Sequence, residues 1–225
     1  MPRHSKQTDG NGMSNDSSVV AVIAIHARFG ASATSYAKDV EIYRAGEPAG
    51  RVFEVIHGAV RSYKVLSDGR RQICSFHLPN DVFGLEYGPN YRFTAAAIVD
   101  TAVRVVRRHS LEYMAASDVG VARDLLSMTA ETLKHAEDHL LLLGRKLALE
   151  RVAAFLLEMD TRLARTGMIA LPMARVDIAD YLGLTLETVS RTLSHLRDQG
   201  VLGFSETSQR QIMLRDRQRL QKLDA

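Results

Sequence analysis

Glu187, Ser190 and Arg191 stand at i, i+3 and i+4 in the run RVDIADYLGLTLETVSRTLS, from Arg175 to Ser194. A carboxylate can accept from a cytosine N4 amine, and a guanidinium can donate in a fork to guanine O6 and N7. A hydroxyl can serve a neighbouring base edge or a phosphate. On a helix this spacing puts all three groups on one face, with Val189 and Leu193 on the opposite one. The rest of the run positions that face. Ile178, Leu182, Val189 and Leu193 supply the apolar positions that two crossed helices bury against each other, and Ala179 is the small residue at their closest approach. Gly183 falls in the turn, where φ > 0 costs a glycine little. Leu184 packs back, and Thr185 is a good N-cap for the second helix. An ordinary helical hairpin is the alternative, with Glu187 favoured by the helix dipole and Arg191 as its i+4 partner. The agreement of small, glycine and apolar positions favours a helix-turn-helix that reads a DNA major groove.

The sequence downstream supports that reading. Gln199-Gly200 marks a helix C-terminus. Val201 to Ser205 and Gln211 to Leu214 are short apolar runs around a polar turn at 206–209, the pattern of a β-hairpin wing. Arg210 and Arg215 flank it within reach of phosphates. The candidate DNA-contacting residues are Thr185, Glu187, Thr188, Ser190, Arg191 and Arg210.

Other groups that could do chemistry are sparse. The single cysteine, Cys74, excludes a disulfide framework and a cysteine-ligated zinc or iron–sulfur cluster within one chain. Alternation along Arg71 to Leu78 places Cys74, Phe76 and Leu78 on one face, so Cys74 is read as a buried small hydrophobe rather than a redox sensor. His135 and His139 are spaced i, i+4, but Ala136 stands where a metalloprotease helix needs glutamate. Both lie off the apolar stripe of their helix and are read as solvated surface histidines. A cupin-like metalloenzyme would need converging ligands, and His57 and His77 are isolated. No metal, cofactor or enzymatic activity is expected.

Bulk properties set the frame. The 225 residues allow two modest domains, and the net charge is only +3. All of that excess lies from Gly144 onward, with thirteen Lys and Arg against ten Asp and Glu. The early apolar run Val19 to Ile25 is too short to span a bilayer. A signal peptide is disfavoured because the segment ahead of that run is polar and carries Asp9 and Asp16. The expected location is cytoplasmic.

The elements that carry these residues follow in order. Residues 1–18 are rich in Gly, Ser, Asn and Asp and predict a disordered tail. From Val40 to Val106, short alternating runs are punctuated by glycine and proline. Candidate strands are Val52 to Ile56, Ala59 to Val65, Gln72 to Leu78 and Ala102 to Val106, with a hairpin turn at Ser67-Asp68-Gly69. Their spacing predicts a small antiparallel barrel or jelly roll. A long helix follows with Val119, Ala122, Leu126, Thr129, Leu133, Ala136, Leu140 and Leu143 at successive a and d positions. So narrow a seam favours dimerisation through Leu126, Leu133, Ala136 and Leu140 over packing on the chain's own barrel. Two copies of a helix-turn-helix then read two half-sites. The expected fold is α+β: a β-roll over 19–109, a dimerisation helix region over 110–143 and a winged helix-turn-helix over 144–225.

Barrel, long helix and winged helix-turn-helix, in that order, resemble the Crp/Fnr superfamily of bacterial transcription regulators. The resemblance covers about Val40 to Ala225. It is carried by Phe76 to Gly84 (FHLPNDVFG), Glu150 to Leu156 (ERVAAFL) and Asp180 to Arg191 (DYLGLTLETVSR). The Glu-x-x-Ser-Arg pattern is similar to the Fnr branch, and Leu171 to Arg191 looks most like the FixK type. The resemblance implies a cyclic-nucleotide-binding-like β-roll and a homodimeric activator, with RNA polymerase and a TTGAT-N4-ATCAA-like palindrome as partners. It also implies control of microaerobic, nitrogen-fixation or denitrification genes. Two departures matter. The cysteines that hold the Fnr cluster are missing here. Phe93-Thr94 takes the place of the Arg-Ser pair that binds cyclic phosphate, leaving Arg92 as the one nearby cation. Both departures match FixK-type proteins, which need no recognised cofactor. A haem-dependent nitric-oxide sensor of the same superfamily is the alternative.

Overall fold

The computed structural model describes residues 32–145, 147–163, 168–205 and 210–224. The expected tail therefore lies outside the described residues, as do the run Val19 to Ile25 and the polar turn of the wing.

Two four-stranded antiparallel sheets form the first half, in orders β1-β8-β3-β6 and β2-β7-β4-β5. The strands are β1 (Ser32–Tyr36), β2 (Glu41–Tyr43), β3 (Arg51–His57), β4 (Val60–Val65), β5 (Arg71–His77), β6 (Val82–Phe83), β7 (Thr94–Ala97) and β8 (Thr101–Arg107). The sheets stay separate, so the architecture is a two-sheet roll and not a closed barrel. Aromatic rings fill part of its interior, with Tyr43 stacked on Tyr91 at 3.7 Å between centroids and Phe53 on Phe83 at 5.2 Å. Gly58 turns β3 into β4 at φ +88°, where a Cβ would overlap Thr101. The β4–β5 turn is built as its sequence suggests. Leu66 N–H donates to Arg70 O, Gly69 takes φ +82°, and the Asp68 carboxylate accepts from Arg70 N–H.

Period-2 alternation fails in β5. Ser62 pairs with Ser75 and Tyr63 with Ile73, so Cys74 is the extra residue of a β-bulge. The bulge puts Ile73 and Phe76 in the core three positions apart and leaves Cys74 half-buried. The expected fully buried cysteine is thus corrected to one on a cavity wall.

Helix α1 (Arg108–Ser117) ends at Asp118, whose carboxylate accepts from Gly120 N–H, and α2 (Val119–Arg145) runs on from there. Val121 and Met128 of α2 are buried against the chain itself. Most of the heptad positions lie elsewhere: Val119, Leu126, Leu133 and Leu140 are 76, 70, 59 and 69% exposed, while Leu143 is half-buried beside Gly183. So the long helix has one face packed on its own roll and a second apolar face that its own chain leaves uncovered.

The remaining elements are α3 (Ala148–Leu163), β9 (Met168–Ala170), α4 (Arg175–Leu182), α5 (Leu186–Asp198), β10 (Leu202–Phe204), β11 (Gln211–Leu214) and α6 (Arg217–Asp224). The wing hairpin β10–β11 gains a third strand, because β9 pairs with β11. One core is continuous across both halves of the molecule. It joins Ile73, Phe76 and Leu78 of the roll to Phe155, Tyr181, Leu182 and Leu196, and the Phe76 and Tyr181 rings lie 5.1 Å apart. Burying a Phe or Leu side chain contributes about 1.5–3 kcal/mol, so this junction is a packed interface.

Candidate nucleic-acid interface

Helix α4 begins with half of a capping box: Asp177, at N3, accepts from the Ala174 N–H at 3.3 Å. It ends at Gly183, in the left-handed region (φ 62°, ψ 38°), whose N–H donates to Ala179 O. Leu184 N–H donates to the same carbonyl, and the chain turns into α5. Ala179, Val189 and Leu193 are all buried where the two helices cross, as their sizes predict.

Thr185 caps α5, its hydroxyl accepting from Thr188 N–H at 3.2 Å and lying 3.0 Å from the Thr188 hydroxyl. Thr188 is half-buried; Glu187 and Arg191 stand exposed one turn apart. The Glu187 carboxyl is held below its ordinary range, first by its own backbone N–H, then by the Thr185 hydroxyl and the Arg191 charge. It is therefore a full carboxylate at neutral pH and can only accept. Ser190 sits half-buried at the edge of the same face, 3.4 Å from Arg175 Nη1. Arg210 follows the wing turn and donates to Pro172 O at 3.3 Å. The Arg215 guanidinium lies against Gly203, close enough to crowd a Cβ there.

Arg175 escapes the sequence reading. Its guanidinium lies 5.9 Å above the Phe204 ring and reaches Ser190, so it ties the start of α4 to the recognition helix and the wing. One signal for it existed: a cation in the first turn of a helix opposes the dipole and calls for another reason to be there. Leu186 is a second omission, 43% exposed beside Glu187.

The histidines of α2 are not solvated surface groups. His135 Nε2 is 3.1 Å from Glu158 Oε1, and His139 stacks on Tyr181 at 4.1 Å with its Nε2 2.9 Å from Tyr181 O. Desolvation lowers the His139 pKa, so at neutral pH the ring is uncharged and donates Nε2–H to that carbonyl. No group of three or more His, Cys, Asp or Glu among the described residues could hold a metal ion.

A cavity of about 340 Å³ opens between the roll and helices α2 and α3, lined by Cys74, His77, Phe93, His135 and Arg162 among others. Burial raises the Cys74 thiol pKa. Arg92, at its rim, gives its Nε–H to Glu86 at 2.8 Å and lies over the Phe93 ring. The Thr94 hydroxyl accepts from Ala45 N–H. Glu86 thus holds the Nε side of the Arg92 guanidinium, and the Phe93 ring offers a phosphate no donor. No helix of the described residues is long and apolar enough to cross a membrane.

Comparison with known proteins matches two families in series. Residues 33–118 match a cyclic nucleotide-binding domain, and residues 150–223 match a Crp-like helix-turn-helix domain. The nitrogen fixation regulation protein FixK of Azorhizobium caulinodans is 44% identical over 195 residues, covering 84% of this chain and 78% of that protein. FixK of Rhizobium meliloti is 40% identical, covering 80% and 82%. The solved structure of FixK2 from Bradyrhizobium japonicum is 67% identical, with a TM-score of 0.84 over 87% of this chain and 98% of that one.

Proposed function

This chain belongs to the Crp/Fnr family of transcription regulators, in its FixK-type branch, and from that premise we propose that it works as a homodimer whose paired recognition helices read a two-armed operator. The observation that carries this reading is the exposed Glu187–Arg191 face on a capped α5. Arg191 donates to guanine O6 and N7, Glu187 accepts from a cytosine N4 amine, and Ser190 serves a neighbouring base or phosphate. Thr185, Thr188 and Arg210 add backbone contacts that fix register. The operator is a TTGAT-N4-ATCAA-like palindrome.

The exposed stripe of Leu126, Leu133 and Leu140, with Ala136, is the seam between protomers. Functionally the chain divides into the roll over 19–109, the dimerisation region over 110–143 and the DNA-binding unit over 144–225. By kinship with the FixK proteins, its targets are nitrogen-fixation and low-oxygen genes. It acts in the cytoplasm as an activator contacting RNA polymerase, and it is not an enzyme.

Because Glu86 holds Arg92 and the donorless Phe93 ring lines the cavity, the protein binds its operator without an added effector. Titration of aerobically purified protein against a TTGAT-N4-ATCAA duplex, with and without cyclic AMP, tests this. Equal binding in both arms is expected; binding that appears only with the nucleotide overturns it.

A further inference from the structure

Helix α4 is gripped from two sides. The roll holds it at Asp177 and Asp180. Arg71 donates Nε–H to Asp180 Oδ2 at 2.8 Å and Nη2–H to Asp177 Oδ1 at 2.6 Å. Arg61 reaches Asp177 Oδ1 at 3.4 Å and Asp39 Oδ1 at 3.0 Å. The Gln72 side-chain amide donates to Asp180 O at 2.8 Å. Helices α2 and α3 hold the other end, where His139 meets Tyr181 O and Arg151 Nη1 donates to Leu182 O at 2.9 Å. The charged cluster borders the Phe76–Tyr181–Phe155 packing.

These ion pairs differ from ordinary surface pairs. The side chains of Asp177, Arg61, Arg71 and Asp180 are 5, 11, 24 and 24% exposed, so solvent and salt screen them little. Half-buried partners of this kind also set register, because each becomes an uncompensated charge when the other shifts. Asp177 serves twice, since it also caps α4. The tight Gly183 turn then makes α5 follow α4 as one body.

We propose that Arg71 and Arg61 are positioning residues for operator recognition: by gripping Asp177 and Asp180 they fix the direction of α5 relative to α2, and so set the half-site spacing that the dimer accepts. The inference rests on the paired-helix reading above. Half-sites one helical turn apart lie about 34–36 Å from each other, so a small pivot of α4 about its Tyr181–Leu182 end moves α5 off register.

The test uses full-length wild type, Arg71→Gln and Asp180→Asn at one salt concentration. Each is titrated with duplexes whose two arms are separated by the preferred spacing, or by one or two base pairs more or fewer, and with a single-arm duplex. Wild type should favour one spacing. Both variants should lose about tenfold in affinity at that spacing, a typical coupling between linked sites, and should lose most of their preference among spacings. Their single-arm affinity should be unchanged, and Arg71→Lys should keep part of the preference. Full preference in both variants overturns the latch alone. An equal loss on the single arm overturns it too, because the helix-turn-helix itself is then damaged. Tighter binding by the variants overturns it, since the pairs would then hold α5 away from its working direction. Wild type with no spacing preference overturns the paired-helix reading and the latch with it.

Discussion

Two side chains carry the proposed base readout, and they differ in how the protein prepares them. Glu187 is kept ionised by its own N–H, Thr185 and Arg191, whereas Arg191 is simply presented to solvent one turn on. Arg191→Ala is expected to cost about 1–3 kcal/mol of discrimination at one base pair of each arm. Glu187→Gln should relax choice at a neighbouring pair, because an amide donates as well as accepts. Competition with singly substituted duplexes at fixed salt measures both, and unchanged base preferences would remove α5 from the readout. His77 supports a prediction of another kind. Its Nε2 is 2.8 Å from the Ser62 hydroxyl, and burial together with the Arg162 and His135 charges pushes its pKa down to about 3 from 6.5. Between those values the unfolded chain takes up a proton that the folded protein refuses. Stability is therefore intact above pH 6.5 and falls as pH drops toward 3, by up to about 1.4 kcal/mol per pH unit. His77→Gln should flatten the pH dependence of the urea midpoint between about pH 6.5 and 5. An unaltered slope would mean the imidazole is not held neutral.

At the level of elements, the turn between α4 and α5 can be tested apart from DNA. A Cβ on Gly183 would meet Arg151 Nη1 and Leu143 Cδ2 only at 3.5 Å, an ordinary contact, so the cost of substitution is conformational. Gly183→Ala should destabilise by about 1–2 kcal/mol and Gly183→Asn by less, since asparagine visits the left-handed region. Urea unfolding measures it, and equal losses would point to crowding instead. The α2 stripe gives a second test. Leu133→Glu should yield folded monomers with very weak operator binding, because it buries like charges across a two-fold seam. Light scattering showing an unchanged dimer would place the seam elsewhere. The recognition unit, the β4–β5 turn and the α2 stripe were legible because each is written in local spacing. Strands β1, β2, β6 and β7 were not. They are short, and β7 (TAAA) carries alanines with little strand preference. The β5 bulge breaks the very alternation on which Cys74 was placed. The histidines of α2 were misread because that helix has another face, off the stripe, that packs on its own chain against Glu158 and Tyr181.

For the whole molecule, what the sequence hid was contact between residues about a hundred positions apart. Arg71 meets Asp177 and Asp180, and Arg162 meets Asp81; no local period announces either. The same separation orders the assembly of the chain. Within the roll, β1 waits for β8, β2 for β7 and β3 for β6 and β8, while β4 and β5 alone are neighbours in sequence. Local hairpins close in about 1–10 μs, far sooner than long-range pairings. During synthesis the β4–β5 hairpin, bearing both arginines, therefore leaves the ribosome well before α4 does. The DNA-reading unit is made last, after every strand of the roll on which it sits.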